Sequence, residues 1–293
     1  MSERAEAARD AFYQARWEKK ERLDPLRFGV EWADTNPQPR TITLAQSEAI
    51  LEAGRTDPHH HRDPRHTGRR PTMTDIEYRS DMRVTYVDSM GDDKRIAQAA
   101  RVSTGNHDSD RPHEGLVKRL WQDQHTSTFE HNVLTVMVEV PIFVAREWHR
   151  HRTFAYNEIS ARYSEVAPVF YVPGEDRPLA QTGKAMDYRR EPGGEHHQKR
   201  ASAAHRWVAG VAWDEYQAML DFGIAREVAR NVLPVSMYTR FYATANLRNW
   251  MHFLALRTDE TALWEIRDAA RQVEAIIAWL WPVAHGAFAE SPR

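Results

Sequence analysis

Residues 132–140 read NVLTVMVEV, and a proline follows them. Leu134, Val136, Val138 and Val140 alternate with Thr135, Met137 and Glu139, the period-two pattern of a strand with one face in a core. Pro141 lacks an amide hydrogen and fixes φ at about −65°, which suits the first turn of a helix. We expect that helix through PIFVAREWHRHR, residues 141–152. A strand running straight into a helix requires a fold that mixes the two.

The rest of the chain from Met82 onward has the same mixed character. MRVTYVDSM (82–90) reads as a strand, and DDKRIAQAARVS (92–103) and HEGLVKRLWQDQ (113–124) read as helices. VFYVP (169–173) is extended, and the polar, glycine-containing stretch from Gly174 to Lys199 reads as a mobile loop. Helices follow at about 200–222 and 224–233, then an extended MYTRFYATA (237–245). A helix at 246–257 and a long apolar one from Thr261 to about His285 complete the chain.

The first 78 residues differ in composition. Residues 2–23 form a charged helix candidate, and TLAQSEAILEAG (43–54) a short amphipathic one with Gly54 as its stop. RTDPHHHRDPRHTGRRPT (55–72) is rich in Pro, His and Arg without apolar periodicity, as a linker is. Consecutive His59, His60 and His61 would point in different directions on an ordered element, so a solvated loop is expected rather than a metal site. The organisation expected is an extension and linker over 1–78 and one domain over 79–293.

Composition excludes several classes of chemistry. The chain has no cysteine, so it can form no disulfide, thiolate zinc site, iron–sulfur cluster or cysteine nucleophile. Covalent or redox chemistry must come from another side chain or a bound cofactor. A net charge of −2 argues against a global polyanion binder, so any anion site is a local concentration of charge. There is no apolar run of about 18 residues and the first residues are charged, so neither a membrane span nor a signal peptide is expected, and the location expected is cytoplasmic.

Such a concentration lies in REWHRHRTFAYNEISARY, residues 146–163. On a helix, Arg146 and Arg150 would share a face four residues apart with His149 beside them. The bland reading is a solvated helix terminus whose cations face the negative end of the dipole. Against it, Asn157, Glu158, Ser160 and Arg162 add the donors and acceptors that recognise phosphates and heterocycle edges. His149 and His151 lack a third ligand on their face and sit among arginines, which disfavours a metal. Trp148, Phe154, Tyr156 and Tyr163 would suit a nucleic acid, but no basic stripe supports one elsewhere.

RHRTFAYNEISARY (150–163) resembles the signature of the flavin-dependent thymidylate synthases, in which Arg-His-Arg is followed after seven residues by serine, here Ser160. AARVS (99–103), HTSTFEH (125–131), REVARNVLP (226–234), YTRFY (238–242) and NLRNWMHFLALR (246–257) resemble other blocks of that family in order. The resemblance spans about residues 82–285. It implies an α+β fold with a central, mostly antiparallel sheet flanked by helices, assembled as a homotetramer with active sites between subunits. It implies transfer of a methylene group from 5,10-methylenetetrahydrofolate to carbon 5 of a uridine nucleotide, with FAD as cofactor and NADPH as reductant. No metal, nucleic acid or membrane partner is implied. The missing cysteine agrees with it, because this chemistry needs no thiol nucleophile.

The resemblance also implies roles. Arg150, Ser160, Arg162 and Arg230 would hold the nucleotide, with Ser160 by the pyrimidine and Arg257 at the ring edge, favouring ionisation of the ring NH. Ser103, His125, Ser127, Glu130, Arg150, His151, Arg152, Asn246, Arg248 and His252 would contact FAD, and Glu158 would lie near both ligands. Arg248 and His252 are four apart, so one helix face can present both. Against these stand plain structural alternatives: ion pairs for Arg230 and Arg257 with Glu227 or Asp259, core positions for His125 and His131, and a capping or pairing role for Glu130. Trp250, Phe253 and Leu254 read as core.

Two positions depart from the family pattern. Glu147 stands where the family usually has glutamine facing the nucleotide, and Ala155 where it usually has serine. An ionised Glu only accepts hydrogen bonds, whereas Gln also donates. Glu147 is therefore expected to bind substrate and to alter sugar selectivity so that the ribonucleotide UMP is accepted, with or without dUMP, as in relatives of nucleoside-antibiotic pathways. The alternatives are a thymidylate synthase strict for dUMP and a ligand-binding homologue without turnover.

Overall fold

A computed structural model describes residues 76–291 except 107–108, 163–164 and 185–186. The helices expected within 2–23 and 43–54, the linker, the His59–His61 run and Tyr163 lie outside the described residues.

The centre is a four-stranded antiparallel sheet in the order β2-β3-β8-β4, formed by β2 (Arg83–Met90), β3 (Val133–Pro141), β8 (Tyr238–Asn246) and β4 (Ala155–Glu158). The alternation in the sequence is realised on β3, where Leu134, Val136, Val138 and Val140 are buried. On β8 Phe241, Ala243 and Ala245 face the same core. A short parallel pair joins β1 (Glu77–Arg79) to β5 (Val169–Tyr171). The fold is the expected α+β class, its main sheet wholly antiparallel.

Helices cover the buried face. They are α1 (Asp93–Val102), α2 (Glu114–Gln122), α3 (Ile142–Trp148), α6 (Leu247–Arg257), α7 (Trp264–Leu280) and α8 (Pro282–Ala289), with a 3₁₀ turn at Thr126–His131. Trp250, Phe253 and Leu254 are fully buried in this core, as their pattern predicts, and Trp148, weighed in the sequence only as an aromatic for nucleic acid, is fully buried there too. The Trp250 indole N–H reaches the Leu134 carbonyl at 3.1 Å, so the ring's one polar atom is satisfied against the strand beneath it. A smaller core holds Trp213 and Tyr216 of α4 (Glu195–Asp221) against Phe170, Ile76 and Met237. Among the described residues no helix is long and apolar enough to cross a membrane.

Several expectations need correction. The Gly174–Lys199 stretch holds a hairpin, β6 (Ala180–Lys184) with β7 (Asp187–Glu191), and α4 begins at Glu195. Polar side chains suit a two-stranded ribbon with little to bury, so hydrophobic periodicity gives no signal. The 224–233 helix shrinks to α5 (Arg226–Ala229) and a 3₁₀ turn at Arg230–Val232, because Leu233 is extended before Pro234 (ψ 132). The long C-terminal helix breaks between α7 and α8 at Trp281 (φ −133, ψ 67), where Pro282 cannot donate to the preceding turn.

The junctions position the site. Pro141 (φ −61, ψ 151) ends β3 and caps α3, one place earlier than the first helical turn expected for it. β8 passes into α6 through Asn246, whose side chain accepts the Asn249 amide at 2.9 Å. Because β3 and β8 are antiparallel, α3 and α6 leave opposite ends of the sheet, and it is their C-terminal ends that meet, Arg257 against Glu147.

Candidate active site

The helix expected through residue 152 ends at Trp148, with His149 as its C-cap. The Tyr156 hydroxyl donates to the Trp148 carbonyl at 2.6 Å and to the His151 carbonyl at 3.2 Å, so β4 takes the carbonyls that a longer helix would have used. Arg146 and Arg150 thus do not share a helix face. The turn carries His151 inward until it is buried, packed on Phe253 (ring centroids 4.9 Å) and Phe154.

His151 meets Arg257, the last residue of α6. The Arg257 Nε donates to His151 Nε2 at 2.9 Å, Nη1 to Glu147 Oε2 at 2.8 Å and Nη2 to the Glu147 carbonyl at 3.1 Å. Burial, then the nearby Arg257 and His252, lower the His151 pKa to about 4, so the imidazole is neutral and accepts through Nε2. Arg150 stands 3.7 Å from the second Glu147 oxygen. Arg257 is thus ion-paired with Glu147 rather than with Asp259.

A different face of α6 presents Arg248 and His252, four residues apart and both exposed. Arg248 pairs with Glu130 of the 3₁₀ turn, and the His252 ring lies 6.4 Å from His151. His125 and His131 are exposed, not core residues. Ser127 and Arg152 are exposed as well, and Ser103 caps α1 with its hydroxyl on the Ala100 carbonyl at 2.9 Å.

The remaining predicted nucleotide ligands lie elsewhere. Glu158, Ser160, Arg162 and Arg230 line a cavity of about 1100 Å³ between β4, β8 and the 3₁₀ turn after α5. Glu158 accepts the Thr239 hydroxyl at 2.5 Å, and Arg162 donates to Glu227 at 3.1 Å. Glu227 is therefore the partner of Arg162, and Arg230 makes no ion pair among the described residues.

Neighbours on α3 serve both groups. Ile142 and Arg146 line the cavity, while Glu147 turns to Arg257. The chain thus holds the predicted ligands as two sets, Glu147–Arg150–His151–Arg257 and Glu158–Ser160–Arg162–Arg230.

Sequence reasoning assigned no role to several residues of the cavity. Glu139 takes Arg79 on one oxygen and Arg240 at 2.6 Å on the other. Burial pushes the Glu139 pKa up, but the two guanidiniums outweigh it and hold it below the ordinary value. The signal was present in the strand pattern, since Glu139 and Arg240 stand directly opposite on β3 and β8. Arg146, exposed at the cavity wall, makes no ion pair among the described residues and was noticed only as part of the cation cluster.

The family model described as thymidylate synthase complementing protein matches residues 85–283. The chain belongs to this family, the flavin-dependent thymidylate synthases. It is 42% identical over 233 residues to the flavin-dependent thymidylate synthase of Streptomyces coelicolor, covering 74% of this chain and 95% of the relative. The Thermus thermophilus enzyme of the same name is 44% identical over 208 residues, 71% of this chain and 75% of that one. Among solved structures, the chain is similar to the UMP/dUMP methylase PolB from Streptomyces cacaoi bound with 5-Br UMP. That likeness has a TM-score of 0.68 and 45% identity, covering 73% of this chain and 96% of PolB. The PolB structure bound with 5-Br dUMP gives a TM-score of 0.69 at 44% identity. The member described here is an enzyme with the family fold, and its first residues fall outside the match.

Proposed function

We propose that this enzyme methylates carbon 5 of both UMP and dUMP, taking the methylene group from 5,10-methylenetetrahydrofolate and using FAD and NADPH. The observation that carries the reading is the likeness to PolB, a UMP/dUMP methylase, over 96% of that chain at 45% identity. The absence of any cysteine supports it, because attack on the pyrimidine by a thiolate is impossible here.

The proposed roles follow from residue chemistry. Arg150, Arg162 and Arg230 take the nucleotide phosphate in charge-assisted hydrogen bonds, Ser160 lies by the pyrimidine, and Arg257 donates to the ring edge. The two sets are separate in one protomer, so we place the complete site between copies of a homotetramer. Glu147 and Glu158 accept hydrogen bonds from the sugar, which admits the ribose 2′-hydroxyl. The residues also fit FAD. Arg152 and Arg248 are exposed cations for its pyrophosphate, with His125, Ser127, Glu130, His252, Ser103, Asn246 and the buried His151 as neighbouring donors and acceptors. When bound and reduced by NADPH, the flavin would supply the hydride that completes the methyl group. The protein contributes positioning and electrostatics, in the cytoplasm and on a pathway supplying 5-methylated pyrimidine nucleotides for specialised nucleosides.

The test of the cofactor is spectroscopic. Purified protein takes up FAD, turns yellow and bleaches on addition of NADPH; colourless protein that takes up no FAD sinks the reading.

A further inference from the structure

The link between α3 and β4 is two turns laid back to back. The Trp148 carbonyl accepts the His151 amide at 2.9 Å, and the His151 carbonyl accepts the Phe154 amide at 3.2 Å. Both carbonyls also face the Tyr156 hydroxyl, at 2.6 Å from Trp148 and 3.2 Å from His151. A hydroxyl has one hydrogen, so the two carbonyls share it, with the shorter bond dominant. Each of these carbonyls opens one of the turns, and a single side chain from β4 therefore ties the pair together. Burial pushes the Tyr156 pKa up, so the hydroxyl keeps its hydrogen at any working pH.

The segment divides what it hides from what it shows. His151 and Phe154 are buried beneath the turns, whereas His149, Arg150 and Arg152 are exposed. The Tyr156 ring is held by Phe154, stacked at 5.9 Å, and by Phe241 and His149, edge-on at 5.9 and 4.9 Å. Its backbone stands opposite Ala243 of β8 in the central sheet. A residue fixed in the sheet thus braces cations that sit on turns outside both helix and ladder.

We propose that Tyr156 is a positioning residue for the cofactor. Its hydroxyl fixes one turn against the other and so holds the Arg152 guanidinium where the FAD pyrophosphate meets it. In this role it acts through the backbone it braces, without touching the ligand. A turn ordered before binding lowers the entropy that binding must remove. The inference rests on the reading that this segment receives FAD, and it adds what keeps Arg152 in place.

The test uses full-length protein and Tyr156→Phe, which keeps the ring and removes only the hydroxyl. FAD is titrated into wild type, Tyr156→Phe, Arg152→Ala and the double variant, and backbone amide exchange is followed in the first two. Tyr156→Phe should bind FAD roughly tenfold more weakly, the scale of one lost hydrogen bond. The double variant should lie within about threefold of Arg152→Ala, because the brace then has no Arg152 cation to place. Exchange at the His151 and Phe154 amides should quicken roughly tenfold in Tyr156→Phe, while the β3 and β8 amides keep their rates. Unchanged FAD affinity in Tyr156→Phe overturns the proposal. So does a loss that multiplies in full on the Arg152→Ala background, or faster exchange across the whole sheet, since either marks general loosening. Wild type that takes up no FAD sinks the functional reading, and the exchange comparison then decides alone whether the hydroxyl holds the turns.

Discussion

Arg257 and His151 are joined Nε to Nε2 at 2.9 Å, a cation donating to a neutral imidazole. The bond requires His151 to stay unprotonated, and its burial against Phe154 and Phe253 favours that form.

The first prediction is a pH dependence of stability. His151 has a folded pKa of about 4 against an ordinary value of 6.5, so the unfolded chain binds the extra proton between those values. Its contribution is present above pH 6.5, is lost as pH falls toward 4, and changes no further below that. The loss is about 3 kcal/mol at most, measured as denaturant midpoints across that window. Replacing His151 with Gln should remove this part of the slope; an unchanged slope contradicts the assignment.

A second prediction concerns Glu139. Arg79 is 10% exposed in side chain and leans on Glu139, so Glu139→Ala leaves a buried guanidinium with one partner fewer. We expect a loss of about 2–3 kcal/mol in chemical denaturation. Arg240→Ala, which removes a largely exposed partner, should cost about 1 kcal/mol or less.

The separation of nucleotide-binding from flavin-binding arginines can be tested by paired variants. Arg230→Ala should raise the KM for nucleotide by roughly a hundredfold, the scale of a lost charge-assisted contact, with FAD uptake unchanged. Arg248→Ala should weaken FAD uptake and leave nucleotide affinity in equilibrium dialysis nearly unchanged. Equal losses of both ligands in both variants contradict the division.

In the core, Trp250→Ala removes a fully buried indole and its bond to the Leu134 carbonyl. The expected cost is about 3–5 kcal/mol, read from the unfolding midpoint.

These residues differ in how far sequence alone revealed them. Alternation located β3, helical spacing located α6, and Trp250, Phe253 and Leu254 were legible as core because one period governs each element. The end of α3 was not legible, since Tyr156 competes for its carbonyls from a strand eight residues away. Nor was the break at Trp281, because the apolar pattern continues through Pro282 into α8. At the site, residue types pointed to nucleotide chemistry, and the motif assigned Glu147 and Arg257 to one ligand. That the two bind each other depends on α3 and α6 rising from adjacent strands, a tertiary fact that spacing along the chain does not carry.

The most direct measurement of the central claim is a side-by-side assay with UMP and dUMP, supplied with methylenetetrahydrofolate, FAD and NADPH and read by mass spectrometry. The account predicts a product one methyl group heavier from both nucleotides. Methylation of dUMP with no turnover of UMP at saturation would contradict the ribonucleotide assignment, and no product from either would contradict the proposed reaction.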